Sequence, residues 1–200
     1  MAEGYEGKIT VGIKDLEDIL GPVKYTDSDL LKADSVGVVN GLAWTSVGGE
    51  MLQIEALCVE GTGKLELTGS LGDVMKESAK AAYSYIRSVA EDYNIPTDFY
   101  KTKDIHLHFP EGAVPKDGPS AGIGIVTAMV SALSGYTVKS SVAMTGEVTL
   151  TGRVLPIGGL KEKILAASII GIKEVLIPDK NGKDLYEVDK EVLDKLKIHT

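Results

Sequence analysis

The sequence predicts an α/β fold, and three observations carry that reading. Segments in which apolar and polar residues alternate, the period of a strand, take turns along the chain with segments whose apolar residues return every three or four positions, the period of a helix. Stretches rich in glycine and proline separate the two kinds. No internal repeat or low-complexity run disturbs the order, as expected of layers packed around one core.

Composition sets the outer limits. Two hundred residues, 44% apolar and 25% charged, suffice for one domain with its own core and a short appendage. A formal net charge of −8, with no run dense in lysine or arginine, argues against a nucleic-acid groove and against an anionic membrane surface. The single cysteine, Cys58, excludes an internal disulfide framework and fits a reducing compartment. The first residues, MAEGYEGKI, lack the basic and apolar regions of a signal peptide, and no apolar run approaches a membrane span. A soluble, intracellular protein is the expectation.

Residues 1–34 are acidic, with one short apolar-periodic piece at 13–20, then Gly21-Pro22 and a polar stretch through Asp27, Ser28 and Asp29. About 30 residues rarely support a core, so they read as an appendage or linker. Residues 36–44 and 51–59 are strand-like and flank Gly48-Gly49, a hairpin signal. In the second, Leu52, Ile54, Ala56 and Cys58 share the face expected to be buried, which leaves Gln53 and Glu55 on the other. Gly61-Thr62-Gly63-Lys64 resembles the tail of a phosphate-binding loop, but position 58 is not glycine and Leu65 stands in place of the hydroxyl, so it reads as a turn before a strand at 65–68.

Ser70, with Asp73 three residues on, is expected to open a helix of about twenty residues whose apolar positions run from Met75 to Tyr93, stopped by Asn94 and Pro96. Ile105, Leu107 and Phe109 then alternate with His106 and His108, a strand with both histidines on the face away from the core. An HxH pair can bind metal, but a site needs more ligands and the only other histidine, His199, stands next to the last residue; no metal is expected. Residues 119–134 read as a buried helix and 142–144 and 148–155 as strands. Residues 160–170 read as a third long helix, 174–177 as a strand, and a short helix and strand finish the chain.

Two residues draw attention as chemistry. Pro110, Gly112, Pro115, Gly118 and Pro119 keep 110–119 irregular, and Pro119 suits the first position of the helix that follows, which places Ser120 in its first turn. Unpaired N–H groups and the positive end of the helix dipole gather there, a place suited to a nucleophile and an oxyanion, though a serine there can equally be a plain cap. No aspartate–histidine–serine set is evident, which leaves a lysine as base. On a helical wheel Lys161 stands beside Ser168, whereas Lys163 lies among Leu160, Ala166, Ala167 and Ile170. A lysine stem can also lie over apolar surface with its ammonium in water. At the reference pKa, roughly one lysine in a thousand or fewer is neutral at pH 7, so a lysine base must be desolvated.

PKDGPSAG at 115–122, followed by MTGEVTLTGRVLPIGGLKEKILAA at 144–167, closely resembles the peptidase domain of the Lon family of ATP-dependent proteases. GLAWTSVGGE at 41–50, LTGSLGDVMKESA at 67–79 and IHLHFPEGAVPKDG at 105–118 fit the same family in the same order, so the resemblance covers 36–200 almost without gaps. It implies mixed sheets packed with helices and a peptidase domain over 35–200. It further implies Ser120 as nucleophile, Lys163 as general base, Thr145 as the residue orienting the lysine, and the backbone N–H groups of Ser120 and Asp117 as oxyanion donors. Glu55, His106 and His108 match polar residues around the family's site, and Trp44 falls on its substrate-lining edge.

Unfolded or damaged polypeptides are the substrates so implied, a homo-hexameric ring the assembly, and the bacterial cytosol or mitochondrial matrix the location. Neither nucleic acid nor membrane is an expected partner. The chain departs from the family in carrying no intact nucleotide-binding sequence, so no cofactor is expected in it, and ATP and magnesium belong to the ATPase module of a longer parent. ITVGIKDLEDILGPVKY resembles the end of the helical part of that module, and the chain is read as a fragment starting just before the peptidase domain. Two alternatives stay open: a catalytically silent ring-assembly domain, and a serine–lysine amidohydrolase acting on small molecules.

Overall fold

The computed structural model describes residues 10–21 and 33–200, which fall in two compact units. The polar stretch at 27–29 lies outside the described residues. In the first unit Ile13–Asp15 form a 3-10 turn running into a short helix, Leu16–Leu20 (α1), and the Asp15 carboxylate accepts the Gly12 N–H at 2.8 Å.

The second unit begins with the strands Ser35–Val36 (β1), Val38–Thr45 (β2), Gly48–Glu60 (β3) and Leu65–Thr68 (β4). Helices Asp73–Ser88 (α2) and Phe99–Thr102 (α3) precede strand Lys103–His108 (β5) and helix Gly122–Ser134 (α4). The short strands Thr137–Val138 (β6), Val142–Met144 (β7), Glu147–Val148 (β8) and Val154–Leu155 (β9) lead to helix Leu160–Ile170 (α5) and strand Glu174–Leu176 (β10). A 3-10 segment, Asp179–Glu187, helix Lys190–Leu193 (α6) and strand Lys197–His199 (β11) follow.

Seven strands form one mixed sheet in the order β11-β10-β7-β2-β3-β5-β4. β2, β3 and β5 pair antiparallel, while β7, β10, β11 and β4 join parallel to their neighbours. One face packs on α2 and α4: Ala79, Ala82 and Ile86 of α2 and Ile125, Ala128 and Met129 of α4 bury Val39, Ile54, Ile105 and Leu107. Deleting such a side chain to alanine costs about 2–5 kcal/mol in a well-packed core. Because strand side chains alternate, Leu42 and Ala143 point the other way, and they are buried with Ile164, Ala167, Ile172 and Val175 on the side of α5. Helix α5 comes so close to the β2–β3 hairpin that a Cβ on Gly49 would stand 2.1 Å from the Glu162 carbonyl oxygen, so only glycine fits there.

Three expectations need correction. The helix expected to open at Ser70 and run to Tyr93 opens at Asp73 and ends at Ser88, with a separate 3-10 turn at Ala90–Tyr93; Ser70 has φ +59° and caps nothing. The strand expected at 148–155 is two short antiparallel strands, β8 and β9, folded about Gly152 at φ +78°. The 3-10 segment Asp179–Glu187 has no counterpart in the expectation, since its only large apolar residues, Leu185 and Tyr186, are adjacent and set no apolar repeat. The turn at 61–64 is where it was expected, and its N–H groups are spoken for: Asp104 Oδ1 accepts from Thr62 at 2.7 Å and Lys64 at 2.8 Å. Those donations hold the Asp104 carboxyl below its usual range, so the chain's own carboxylate sits where a phosphate would.

Candidate active site

Ser120 lies in a 3-10 turn, Pro119–Ala121, that leads directly into α4. Proline fits at the start of that turn because it has no N–H to leave unpaired. The turn is pinned by the chain leaving β7: Gly146 N donates to the Ser120 carbonyl at 2.8 Å, and Ile123 N donates to the Gly146 carbonyl at 3.0 Å. The approach is tight, since a Cβ on Gly122 would stand 2.7 Å from Val148 N.

Thr145, 1% exposed, sits between that turn and α5. Its Oγ1 donates to the Ser120 carbonyl at 3.3 Å and accepts from Lys163 Nζ at 3.1 Å. A hydroxyl has one proton, so with that proton on the Ser120 carbonyl it faces the lysine as an acceptor. Lys163 is 2% exposed on the buried face of α5, whereas Lys161 is exposed. Burial away from water disfavours the ammonium and pulls the Lys163 pKa down from 10.5 to about 8. At pH 7 roughly one such amine in ten is then neutral, a hundredfold or more above the reference fraction.

Ser120 and Lys163 line one cavity of about 300 Å³, together with Asp117, Trp44, Leu52, Met75 and the segment Pro156, Ile157, Gly158. Among the described residues no hydrogen bond joins Ser120 Oγ to Lys163 Nζ; the cavity, with Thr145 behind it, is what they share. Trp44 is 58% exposed at the rim, on the β2–β3 hairpin. Asp117 carries a role that local patterning does not reveal. Its Oδ1 accepts the N–H of Met75 at 2.9 Å, in the first turn of α2, and that of Gly118 at 2.9 Å. It therefore caps, from far along the chain, a helix whose own N-cap, Gly72, has no side chain to do so. Gly72 N also donates to the Lys116 carbonyl at 2.7 Å, fastening the 110–119 loop to the start of α2. The Asp117 N–H has no acceptor among the described residues and stays available.

Glu55, His106 and His108 are not brought to this cavity. They stand on the uncovered side of β3 and β5, where Glu55 pairs in register with His108. Thr68 Oγ1 lies 2.8 Å from His106 Nε2 and 2.7 Å from His108 Nδ1, and His106 Nδ1 is 3.9 Å from Glu66 Oε2. Among the described residues no cluster of three or more His, Cys, Asp or Glu side chains is placed to hold a metal ion, and no helix is long and apolar enough to cross a membrane. A residue the sequence did not single out, Asn181 in the run KNGK, is buried and bonded to Ile157 in the cavity wall; nothing in its neighbours distinguishes it from a turn asparagine.

The structure is an α/β frame that sets a serine at a helix start and a buried lysine on the walls of one cleft. The chain belongs to the family described as the Lon protease (S16) C-terminal proteolytic domain, whose sequence model matches residues 10–200. It is 58% identical over 192 residues to the Lon protease of Finegoldia magna, a match covering 96% of this chain and 25% of that protein. It is 54% identical over 198 residues to the Lon protease of Clostridium acetobutylicum, covering 99% and 25%. Against Lon protease 1 of Thermus thermophilus it is 54% identical over 195 residues, covering 98% and 24%. The chain thus spans about a quarter of the length of the curated relatives it matches.

Proposed function

We propose that this proteolytic domain is a serine endopeptidase in which Ser120 and Lys163 act as a dyad. Ser120 Oγ attacks the carbonyl carbon of the scissile peptide bond as neutral Lys163 takes its proton; the lysine then gives that proton to the leaving amine. Water, deprotonated by the same amine, releases the acyl group. The N–H groups of Ser120 and Asp117 receive the oxyanion, and Thr145, by accepting one lysine N–H, turns the nitrogen lone pair toward the cavity. The observation that carries the reading is the burial of Lys163, whose Nζ has Thr145 as its only hydrogen-bond partner among the described residues, in the wall of the cavity that Ser120 also lines. A lysine merely lying over apolar surface would keep its ammonium in water.

Within a longer parent we take the substrates to be unfolded or damaged polypeptides, the ATP requirement to belong to a separate module, the assembly to be a homo-hexamer, and the location to be the cytosol. Residues 1–34 we take as the end of that module's helical part. The test pairs casein with a short fluorogenic peptide. Peptide cleavage that Ser120→Ala abolishes supports the dyad. Cleavage undiminished in Ser120→Ala removes the serine from the role, and cleavage of neither substrate by the chain or its parent favours a silent assembly domain. Turnover confined to small-molecule amides points to the amidohydrolase alternative.

A further inference from the structure

Pro156, Ile157 and Gly158 wall one side of the shared cavity, between β9 and α5, where they belong to no strand or helix. Among the described residues no backbone group pairs with the N–H or C=O of Ile157. Both are satisfied by one side chain instead. Asn181 Oδ1 accepts the Ile157 N–H at 2.9 Å, and Asn181 Nδ2 donates to the Ile157 carbonyl at 2.9 Å. A carboxamide here imitates the two-bond pairing of strand residues, which needs a donor and an acceptor side by side. Asn181 is 2% exposed, and Asp184 Oδ2 accepts its second N–H at 2.7 Å. A carboxylate only accepts, so Asp184 decides which way round the amide sits.

We propose that Asn181 is a positioning residue of the peptidase, fixing Ile157 so that this wall of the cavity Ser120 also lines keeps one shape and holds the substrate side chain in place. This rests on the proposed reading of the cavity as the place where the peptide is bound and cut. Because Asn181 takes up the Ile157 N–H and one lone pair of its carbonyl, that residue has no donor left for the substrate backbone and meets substrate chiefly with its side chain. Losing the clamp therefore weakens ground-state and transition-state binding together, while the proton transfer between Ser120 and Lys163 is left as it was.

The test measures kcat and KM for a short fluorogenic peptide across about pH 6 to 9, in the wild-type chain, Asn181→Ala and the near-isosteric Asn181→Asp, with amide hydrogen exchange at Ile157 followed by NMR. KM is expected to rise about tenfold in both variants, kcat to stay within about threefold, and the pH inflection to keep its place. Ile157 should exchange at least about tenfold faster. An Asn181→Asp variant with wild-type KM and exchange would mean that the residue only fills space, and a fall in kcat with a displaced inflection would mean that it acts through Lys163; either overturns the proposal. Should neither variant fold, Asp184→Asn, which removes only the orienting acceptor, is expected to raise KM about threefold, and an unchanged KM there overturns it. In a preparation without turnover, Ile157 exchange in the folded variants decides alone. Ser120→Ala run in parallel separates the two readings: full turnover by it defeats the dyad and leaves the Asn181–Ile157 clamp standing.

Discussion

Two polar regions of the sheet domain, each built from residues that resemble family motifs, are held in opposite ways. On the uncovered side of β3, β4 and β5, His106 and His108 share the Thr68 hydroxyl, Glu66 stands beside them, and water reaches them all: the side chains of His106 and Glu66 are 42% and 62% exposed. In the cavity, Lys163 is only 2% exposed, and its Nζ has one hydrogen-bond partner among the described residues, Thr145. In the first set each ring has the Thr68 hydroxyl as a partner, and water can meet the polar atoms that remain. In the second the amine is withdrawn from water, and that burial brings its pKa down to about 8. The proposed dyad ties reactivity at neutral pH to the buried region, and the comparison can be broken or sharpened by mutation.

The largest difference should be in rate. Ser120→Ala and Lys163→Ala are each expected to lower peptide hydrolysis by at least about a thousandfold, while His106→Ala and His108→Ala stay within about tenfold of wild type. A histidine variant as inactive as Lys163→Ala, at unchanged stability, would break the contrast. The wild-type rate should rise with pH and level off above the Lys163 pKa of about 8, since only the neutral amine accepts a proton.

Stability comes next, and there the sign is unusual. Folding lowers the Lys163 pKa from 10.5 to about 8, so between those values the unfolded chain holds a proton that the native state has given up. Below pH 8 both states are protonated and burial of the ammonium works against folding in full; as pH rises from 8 to 10.5 that penalty disappears. Lys163→Met, which keeps the bulk and removes the charge, is expected to stabilise the chain by about 1–3 kcal/mol at pH 7 while abolishing turnover, and the gain should shrink toward pH 10. Thermal melts at several pH values check this; a destabilised Lys163→Met at pH 7 would show that the ammonium is better satisfied than one threonine allows.

What could be read from the sequence divides along the same physical line. The apolar spacing of 160–170 is local, so the helix is found with its ends at Leu160 and Ile170, and the wheel sets Lys163 on its apolar side. The alternation in 51–59 is local too and gives the inward face of Leu52 and Ile54. The start of α2 is not local: its cap is Asp117, and no window around Ser70 contains it. Nor does any pattern near Asn181 announce a bond to Ile157, or any near Ser120 say which lysine would share its cavity. Resemblance supplied those pairings in advance for Ser120, Lys163 and Thr145. It also grouped Glu55, His106 and His108 with them, and these stand on another face.

Asp117 offers a smaller test within the cavity. Asp117→Ala removes the acceptor for Met75 N–H and is expected to cost about 1 kcal/mol, read by denaturant midpoint, whereas Asp117→Asn keeps an oxygen there and should cost less than half of that. Equal losses in the two variants would assign the effect to charge at the helix end rather than to the hydrogen bond.

The smallest effect belongs to the histidine face. Thr68→Val keeps the β-branched shape that suits an edge strand and removes the hydroxyl between the two rings. Because Thr68 is exposed, water can take over both ring nitrogens, and the change should amount to about 0.5 kcal/mol or less. Peptide kcat and its pH inflection should not move, since no hydrogen bond among the described residues links this face to Lys163 or Ser120. If Thr68→Val instead shifts that inflection with stability unchanged, the rings are coupled to the amine through the sheet, and the exposed region is part of the reactive one.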